Sequence, residues 1–467
     1  MVIVPFRKAY LQVDQDEKDK ETYFTTLFEQ LSQNCTNLIT RCLEANLEDE
    51  VDELLKRKRH KQRMRNDEKQ TTRMRCCKCG SQKVSDFSRN GHYVRGLDTS
   101  WGHVRLWMPQ VECQCGGGVR VSYKTLKPRQ RIWKDIEAEF RSAYGYGLSL
   151  RRIKAQQDEA IGRSLGLRSI NERIHEVAKC LPLWQASRLG DPPPVVRLDG
   201  IWMVLMKPTG EEKKDKLGRH RKVKTGKRIP ILVAQGVWPA SGRQEVIGWV
   251  LADAEDQDGW LELILQLRQK GVNIEDIQLL IGDGSSGLEA LRLKQFPDVP
   301  FQRCIFHKLK NLWRDLKVPE GLDRQQIRDY KLEFIHQASQ IWEAKDEYGA
   351  SRLLKAFCLR WKESQPKAVA TLDDGFDLTV TYYRVLDQAA QKGEAWPVEL
   401  LRTTSQLERE NRNMRRRLNE AVLFHSETGL SACLYLNQVL CQFMRSSTMP
   451  GKWSHHIERQ IADANLS

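Results

Sequence analysis

Apolar residues recur at helical spacing across residues 17–55, where Tyr23, Leu27, Leu31, Leu38 and Ile39 fall on one stripe and predict a long first helix. Between residues 76 and 125 that period stops, and short β-type runs such as HVRLWMPQVEC take over. Helical spacing returns over residues 131–180, where GLSLRRIKAQQDEAIGRSLGLRSINERIHEVAKCL reads as two helices joined by a turn at GRSLGL. The run DPPP at 191–194 is a linker or the lead-in to a strand. From Val195 to Leu309 strands and helices alternate. VVRLDGIWMVLMK, IPILVAQGVWP and EVIGWVLADAE read as three successive strands, DGWLELILQLRQKGV as an amphipathic helix, IQLLIGDGS as a short buried strand, SGLEALRLKQF as a helix and FQRCIFH as a further strand. Such an order predicts an α/β fold with a mixed sheet covered by helices. From Lys308 to about Ala370 the pattern is almost wholly helical, and no fixed-period repeat interrupts it.

A chain of 467 residues exceeds one ordinary core, so several domains are expected. No apolar run reaches the roughly 18–20 residues a membrane helix needs. The first residues, MVIVPFRKAYLQVDQDEKDK, carry acids where a signal peptide needs an apolar core. The expectation is a cytoplasmic, nucleoid-associated protein with no membrane partner. Net charge changes the picture further: 76 Lys and Arg against 61 Asp and Glu leave +15, which favours a polyanion as partner. The basic residues cluster. Seven of the ten residues from Lys56 to Arg65 are Lys or Arg, and nine lie between Lys213 and Arg228, where a β-hairpin tip bearing Lys222 and Lys224 could grip DNA. Either run can also be a solvated linker or loop.

Six of the twelve cysteines, Cys35, Cys42, Cys180, Cys358, Cys433 and Cys441, are scattered in helix-like or apolar contexts and read as thiols of a reducing compartment. The others are chemically more pointed. Cys76-x-x-Cys79-Gly is a zinc-knuckle turn, and Cys113-x-Cys115-Gly supplies a second pair, so a structural Zn²⁺ in a zinc-ribbon-like module is expected. Cys77 could replace Cys76, and His92 or His103 could replace a cysteine. In the following helical pair, a helix-turn-helix would set its second helix, from about Leu167 to Cys180, in the major groove. Arg168, Asn171, Arg173 and His175 would then face DNA, with Ile170, Ile174 and Val177 toward the core.

Three carboxylates stand out. Asp199 in VVRLDGIWMVL and Asp283 in IQLLIGDGSSGL each end an apolar run, as at the exposed end of a buried strand, and Glu408 lies on a strongly basic helix, LRTTSQLERENRNMRRR. Phosphodiester chemistry needs an activated oxygen nucleophile and charge stabilisation on the leaving oxygen, and two divalent ions about 3.5–4 Å apart supply both. Carboxylates are the hard-oxygen ligands that Mg²⁺ or Mn²⁺ takes. In this arrangement Asp199 would bridge the ions, Asp283 would hold one and Glu408 the other. Spacing alone does not separate Glu408 from Glu410 or Glu420, and Asp283 in Gly-Asp-Gly can also be a turn residue.

Asp199 in LDGIW, Asp283 in GDGSSGL followed by Gln302-Arg303-Cys304-Ile305-Phe306-His307, and Thr403-Thr404-Ser405-Gln406-Leu407-Glu408-Arg409-Glu410-Asn411-Arg412 occur in that order. In this the chain resembles mutator-type DDE transposases of bacterial insertion sequences over roughly residues 195–425. The resemblance selects Glu408 and implies a ribonuclease-H-like core (195–310), a helical insertion (311–400) and C-terminal helices carrying the glutamate (401–467). Before it come a helix and basic arm (1–70), the zinc module (71–130) and the helix-turn-helix (131–190), a layout that suggests a related branch of that family. The implied activity is metal-dependent cleavage at terminal inverted repeats and strand transfer by the freed 3′-hydroxyl, in a homodimer or higher oligomer on double-stranded DNA. It also places Cys304 and His307 near the catalytic site, with His307 the participant, although on a strand the two would point to opposite faces. Arg412, Arg415 and Arg416 would hold DNA near the metals, and one of Trp313, Trp342 and Trp361 could stack on a flipped base, though core packing suits each. A non-catalytic DNA-binding regulator and a metal nuclease of the same fold are the alternatives.

Overall fold

The computed structural model describes residues 17–58, 70–162, 165–214, 216–404, 407, 424–445, 460–461 and 464. Two compact units divide the chain: Met1–Phe140 with Leu150–Ile170, and Arg141–Ser149 with Asn171–Ser467.

In the first unit, helix α1 (Glu17–Leu55) lies along a two-stranded antiparallel ribbon, β1 (Phe87–Thr99) and β2 (Gly102–Cys113). The period of two along β2 buries Val104, Leu106 and Met108 and exposes His103, Arg105 and Trp107. The buried face meets Leu43 and Leu47, while Val51, Leu54 and Leu55 pack on Phe87, Val111 and the cysteine turns. Only this later stretch of α1 carries the core. Leu31 and Leu38 of the predicted stripe are 45% and 62% exposed, while Ile39 of that stripe packs against the ribbon core and Thr36 Oγ1–H donates to Trp101 O at 3.0 Å. Acids of α1 fasten the ribbon: Glu48 pairs with Arg89 at 2.5 Å and His92 at 2.6 Å, and Asp52 also pairs with Arg89.

Helices α2 (Lys134–Gly145), α3 (Leu150–Ile161), α4 (Leu167–His175) and α5 (Cys180–Ala186) follow. The second helix of the expected pair is shorter than its sequence pattern, since a 3-10 turn, Glu176–Lys179, separates α4 from α5.

The second unit holds a five-stranded sheet in the order β5-β4-β3-β6-β7. Strands β3 (Val195–Lys214), β4 (His220–Trp238) and β5 (Arg243–Leu251) form the antiparallel meander, and β6 (Leu279–Gly282) and β7 (Phe301–Arg303) run parallel to β3. Because side chains alternate, Val195, Leu279 and Ile281 enter one core and Val196, Leu198 and Leu280 the other. Helices α6 (Gln257–Gln269) and α7 (Ser286–Gln295) cover the second face. The first is covered by α8 (Ile305–Asp315), α9 (Arg324–Ser339), α10 (Glu347–Trp361), α11 (Pro366–Asp373) and α12 (Thr381–Gln391). Burial on both faces explains why VVRLD and LLIG are continuous rather than alternating. A further helix, α13 (Glu427–Arg445), buries Leu430 and Leu434. Phe424 before it exchanges backbone hydrogen bonds with β3, Phe424 N–H to Val204 O at 3.1 Å and Met206 N–H to Phe424 O at 2.8 Å.

FQRCIFH is not one strand. β7 ends at Arg303, Cys304 is the N-cap of α8, and His307 lies in the first turn of that helix. The stripe Ile305, Leu309, Leu312 and Leu316, packed on the helical face of the sheet, takes the chain out of extended conformation.

Candidate functional site

Strand register builds the acid site. Val195 pairs with Leu279 and Arg197 with Ile281, where the parallel pairing ends; continued two residues, that register sets Asp199, inside β3, level with Asp283, just past the end of β6. Asp199 is therefore not at the exposed strand end its sequence context suggested, because β3 runs on to Lys214 in its pairing with β4. Asp199, set opposite Val233 in the antiparallel pair, is 5% exposed. Asp283 is half-buried, and its Oδ1 accepts the Ser285 N–H at 2.8 Å. Gly284 turns the chain there at φ +77°, a conformation that costs a residue with a Cβ, and its Cα lies so close to Arg303 that a Cβ would stand 2.5 Å from Nε. Arg303 in turn reaches Asp374, at 3.2 Å.

A carboxylate not singled out in the sequence joins them. Glu255, just before α6, is half-buried, and its Oε2 accepts the Trp202 Nε1–H at 3.2 Å. Burial, and then the charge of Asp283, raise it above the ordinary carboxylate range. It ends the third apolar run, VIGWVLADAE, as Asp199 and Asp283 end theirs; neighbouring Asp253, Asp256 and Asp258 hid that signal.

Cys304 and His307 come into a different relation than a strand would give, since N-cap and first helical turn share one end of α8. Cys304 is fully buried; its N–H donates to Gly282 O at 2.7 Å, and its Sγ accepts the Thr404 N–H at 3.3 Å and the Thr404 Oγ1–H at 3.2 Å. Ile305 N–H donates to Arg402 O at 3.2 Å. Cys304 thus joins the residue before Asp283 to the Thr-Thr segment that leads toward Glu408. Glu408 itself lies outside the described residues, as do Arg412, Arg415, Arg416 and residues 59–65 of the first basic run. Trp342 is 2% exposed and Trp361 packs on the same helical core.

The cysteine quartet is already assembled. Ligand atoms of Cys76, Cys79, Cys113 and Cys115 all lie within 4.8 Å of one another, the only such group of three or more His, Cys, Asp or Glu ligands among the described residues. Gly80 and Gly116, at φ +71° and +68°, turn the chain after each pair. A Cβ on Gly117 would stand 2.5 Å from Cys76 Sγ, so glycine is needed to close the second turn. Cys77 is exposed and not in the group; His92 and His103 pair with Glu48 and Asp98 at 2.6 and 2.8 Å.

The remaining basic residues fall in several settings. From Thr209 to Arg228 the β3–β4 hairpin is almost wholly exposed, with Glu212 opposite Lys222 and Lys213 opposite Arg221. Lys222 and Lys224 are on it, and Lys224 Nζ also donates to His425 O at 2.9 Å. Arg168 is exposed, Asn171 and Arg173 are half-buried, and Ile170, Ile174 and Val177 are buried as expected. His175 turns inward: a Cβ on Gly429 would meet its ring at 3.0 Å. Among the described residues no helix is long and apolar enough to cross a membrane.

Residues 16–445 match the family model described as Transposase, Mutator family. Over 368 residues the chain is 27% identical to the transposase for insertion sequence element IS406 of Burkholderia multivorans, covering 78% of this chain and 83% of that one. Over 356 residues it is 24% identical to the transposase for ISRM5 of Rhizobium meliloti, covering 75% and 77%. Over 344 residues it is 24% identical to the transposase for IS256 in transposon Tn4001 of Staphylococcus aureus, covering 73% and 77%. Among solved structures, the Drosophila P element transposase strand transfer complex aligns over 70% of this chain and 93% of that one at 10% identity and a TM-score of 0.38, a likeness too loose to inform the site. With a match running from residue 16 to residue 445, the chain belongs to the Mutator family of transposases, enzymes that cut and join DNA.

Proposed function

We propose that this transposase cuts and joins DNA at a metal site built from Asp199, Asp283 and Glu408, on a ribonuclease-H-like sheet whose helical insertion is α8 to α12. The observation that carries the reading is the level placement of Asp199 and Asp283 on adjacent parallel strands. Hard carboxylate oxygens so placed suit Mg²⁺ or Mn²⁺. The buried Ser285 Oγ, which has no hydrogen-bond partner in the structure, leaves a polar atom beside Asp283 still to be satisfied. When bound, divalent ions would activate an oxygen nucleophile and offset charge on the leaving oxygen. The chain's own part is to hold the acids and the DNA. Pairing to Val233 fixes Asp199, the Ser285 N–H orients Asp283, and the Cys304–Thr404 contacts anchor the segment that precedes Glu408. Hydrolysis at the element's ends would free a 3′-hydroxyl, and that hydroxyl would attack a phosphodiester of the target, forming a new ester bond to the phosphorus as the bond to the target's own 3′-oxygen breaks and that oxygen leaves.

The four thiols of Cys76, Cys79, Cys113 and Cys115 would hold a structural Zn²⁺, closed to substrate. DNA contacts are assigned to the exposed hairpin with Lys222 and Lys224, to Arg168, Asn171 and Arg173, and to Arg412, Arg415 and Arg416. Cleaving two ends together calls for a dimer or a higher oligomer. The test is mobilisation of a marked element flanked by its native ends. Wild type should insert it, and Asp199→Asn, Asp283→Asn and Glu408→Gln should not. Cut ends without joined product would mark a nuclease, and insertion by any of the three variants would remove that acid from the site.

A further inference from the structure

We propose that Glu255 is a fourth carboxylate of the metal site, sharing a divalent ion with Asp283 at the end of β6. The inference rests on reading Asp283 as a metal ligand.

Two glycines make room for Glu255 in this position. A Cβ on Gly200, the residue after Asp199, would stand 3.1–3.2 Å from the Glu255 carboxylate carbon and both of its oxygens. A Cβ on Gly287, in the first turn of α7, would stand 2.7 Å from Glu255 O and from backbone atoms of Asp256. The side chain therefore lies over the strand that bears Asp199, and its backbone lies against the helix that follows Asp283. Asp256 holds the turn by accepting the Gly259 N–H at 2.9 Å as the N-cap of α6. Trp202 Nε1–H donates to the carboxylate at 3.2 Å.

An acid placed this way needs a reason. Glu255 and Asp283 repel, and each is partly removed from water, so the pair costs stability unless a cation lies between them. Trp202 supplies a single neutral donor. Ser285 lies close enough to ease the charge of Glu255, yet its buried Oγ forms no well-shaped hydrogen bond. Asp199 shares the sheet face of Val195 and Ile281, whereas Gly200, against which Glu255 packs, has the opposite parity. By the same alternation Asp283, two residues after Ile281, falls on the face of Asp199, and Glu255 approaches the end of β6 from the other side of the sheet. Two flanking acids suit a site for two ions better than one.

The test is Mn²⁺ binding by the full-length protein without DNA, read as loss of the free-ion electron paramagnetic resonance signal, together with melting temperature before and after Mn²⁺ is added. Wild type should bind Mn²⁺ and melt higher with it. Glu255→Gln keeps the shape and the Trp202 contact but removes the charge. It should weaken Mn²⁺ binding by about tenfold or more. It should also melt at or above wild type before Mn²⁺, because repulsion is relieved, and gain less from the ion. A purely structural glutamate gives the reverse: a lower melting temperature before Mn²⁺ and an unchanged gain. That result overturns the proposal. Glu255→Asp keeps the charge but withdraws it, and should weaken binding less; wild-type binding by both variants counts against a ligand. Asp283→Asn separates the two readings. If it abolishes binding while Glu255→Gln does not, only the fourth acid fails. If Asp283→Asn binds like wild type, or wild type binds no Mn²⁺, the metal-site reading fails with it.

Discussion

The thiol quartet and the acids of the sheet are built by opposite strategies. Cys76, Cys79, Cys113 and Cys115 come from two turns at one end of a single ribbon, and their sulfurs already lie within 4.8 Å of one another. The acids come from separate strands, Asp199 from within β3 and Asp283 from just past β6, and the register between the two strands carries one level with the other. Closed thiolate sites hold shape, whereas spread carboxylates leave room for substrate. Substitutions in the first should therefore act on folding, and substitutions in the second on chemistry.

The largest effect expected is at Asp199. Asp199→Asn removes charge stabilisation worth several kcal/mol, so cleavage of end DNA should fall by about a thousandfold or more. Its melting temperature and DNA affinity should stay near wild type; a strong loss of either would move Asp199 to a structural role. At the quartet the reverse holds. Structural zinc contributes on the order of 10 kcal/mol to small modules. Cys79→Ser should therefore lower zinc content by metal analysis and speed amide exchange across β1 and β2. Slow exchange with zinc lost would show that α1 alone holds the ribbon.

Much of this contrast was legible in the residues, because both sites announce themselves locally. Cys-x-x-Cys-Gly marks a turn, and an acid after a buried run marks the end of β6 at Asp283, though not at Asp199, where β3 runs on to Lys214. The meander, α6, β6 and α7 all follow from periodicity. Failures came where tertiary contact decides. FQRCIFH has β-type composition, yet Ile305, Leu309, Leu312 and Leu316 pack as a helical stripe and leave only Phe301–Arg303 in the sheet. Leu31 and Leu38 keep a helical period yet stay exposed. His175 looked outward by its spacing, but Gly429, more than 250 positions later, gives its ring a place to pack. Glu255 was hidden for the opposite reason: too many acids surround it in sequence, and only the Gly200 contact and the Trp202 hydrogen bond distinguish it.

Gly284 tests the acid site through its backbone rather than its charge. Gly284→Ala keeps every acid but forces a side chain into a left-handed turn, at about 1–2 kcal/mol, and against Arg303. The melting temperature should drop by a few degrees. Cleavage should fall further than that loss of stability explains, since Asp283 is held by this turn. Equal losses in both would mean that the turn supports only the fold.

The smallest effect belongs to the hairpin, and it sharpens the comparison because neither the thiol quartet nor the acids are touched. Lys222 and Lys224 are exposed on a part of β4 that lies beyond the core of the sheet. Replacing both with alanine should leave melting temperature and Mn²⁺ binding unchanged. If each lysine neutralises one phosphate, the slope of log affinity against log salt should become shallower by up to about 1.8. Lys224 also donates to His425 O, so its share of that change should be the smaller one. The single variants can be ranked by the same salt titration. An unchanged slope in the double variant would make the run a solvated hairpin, and DNA binding would then rest on the other basic residues.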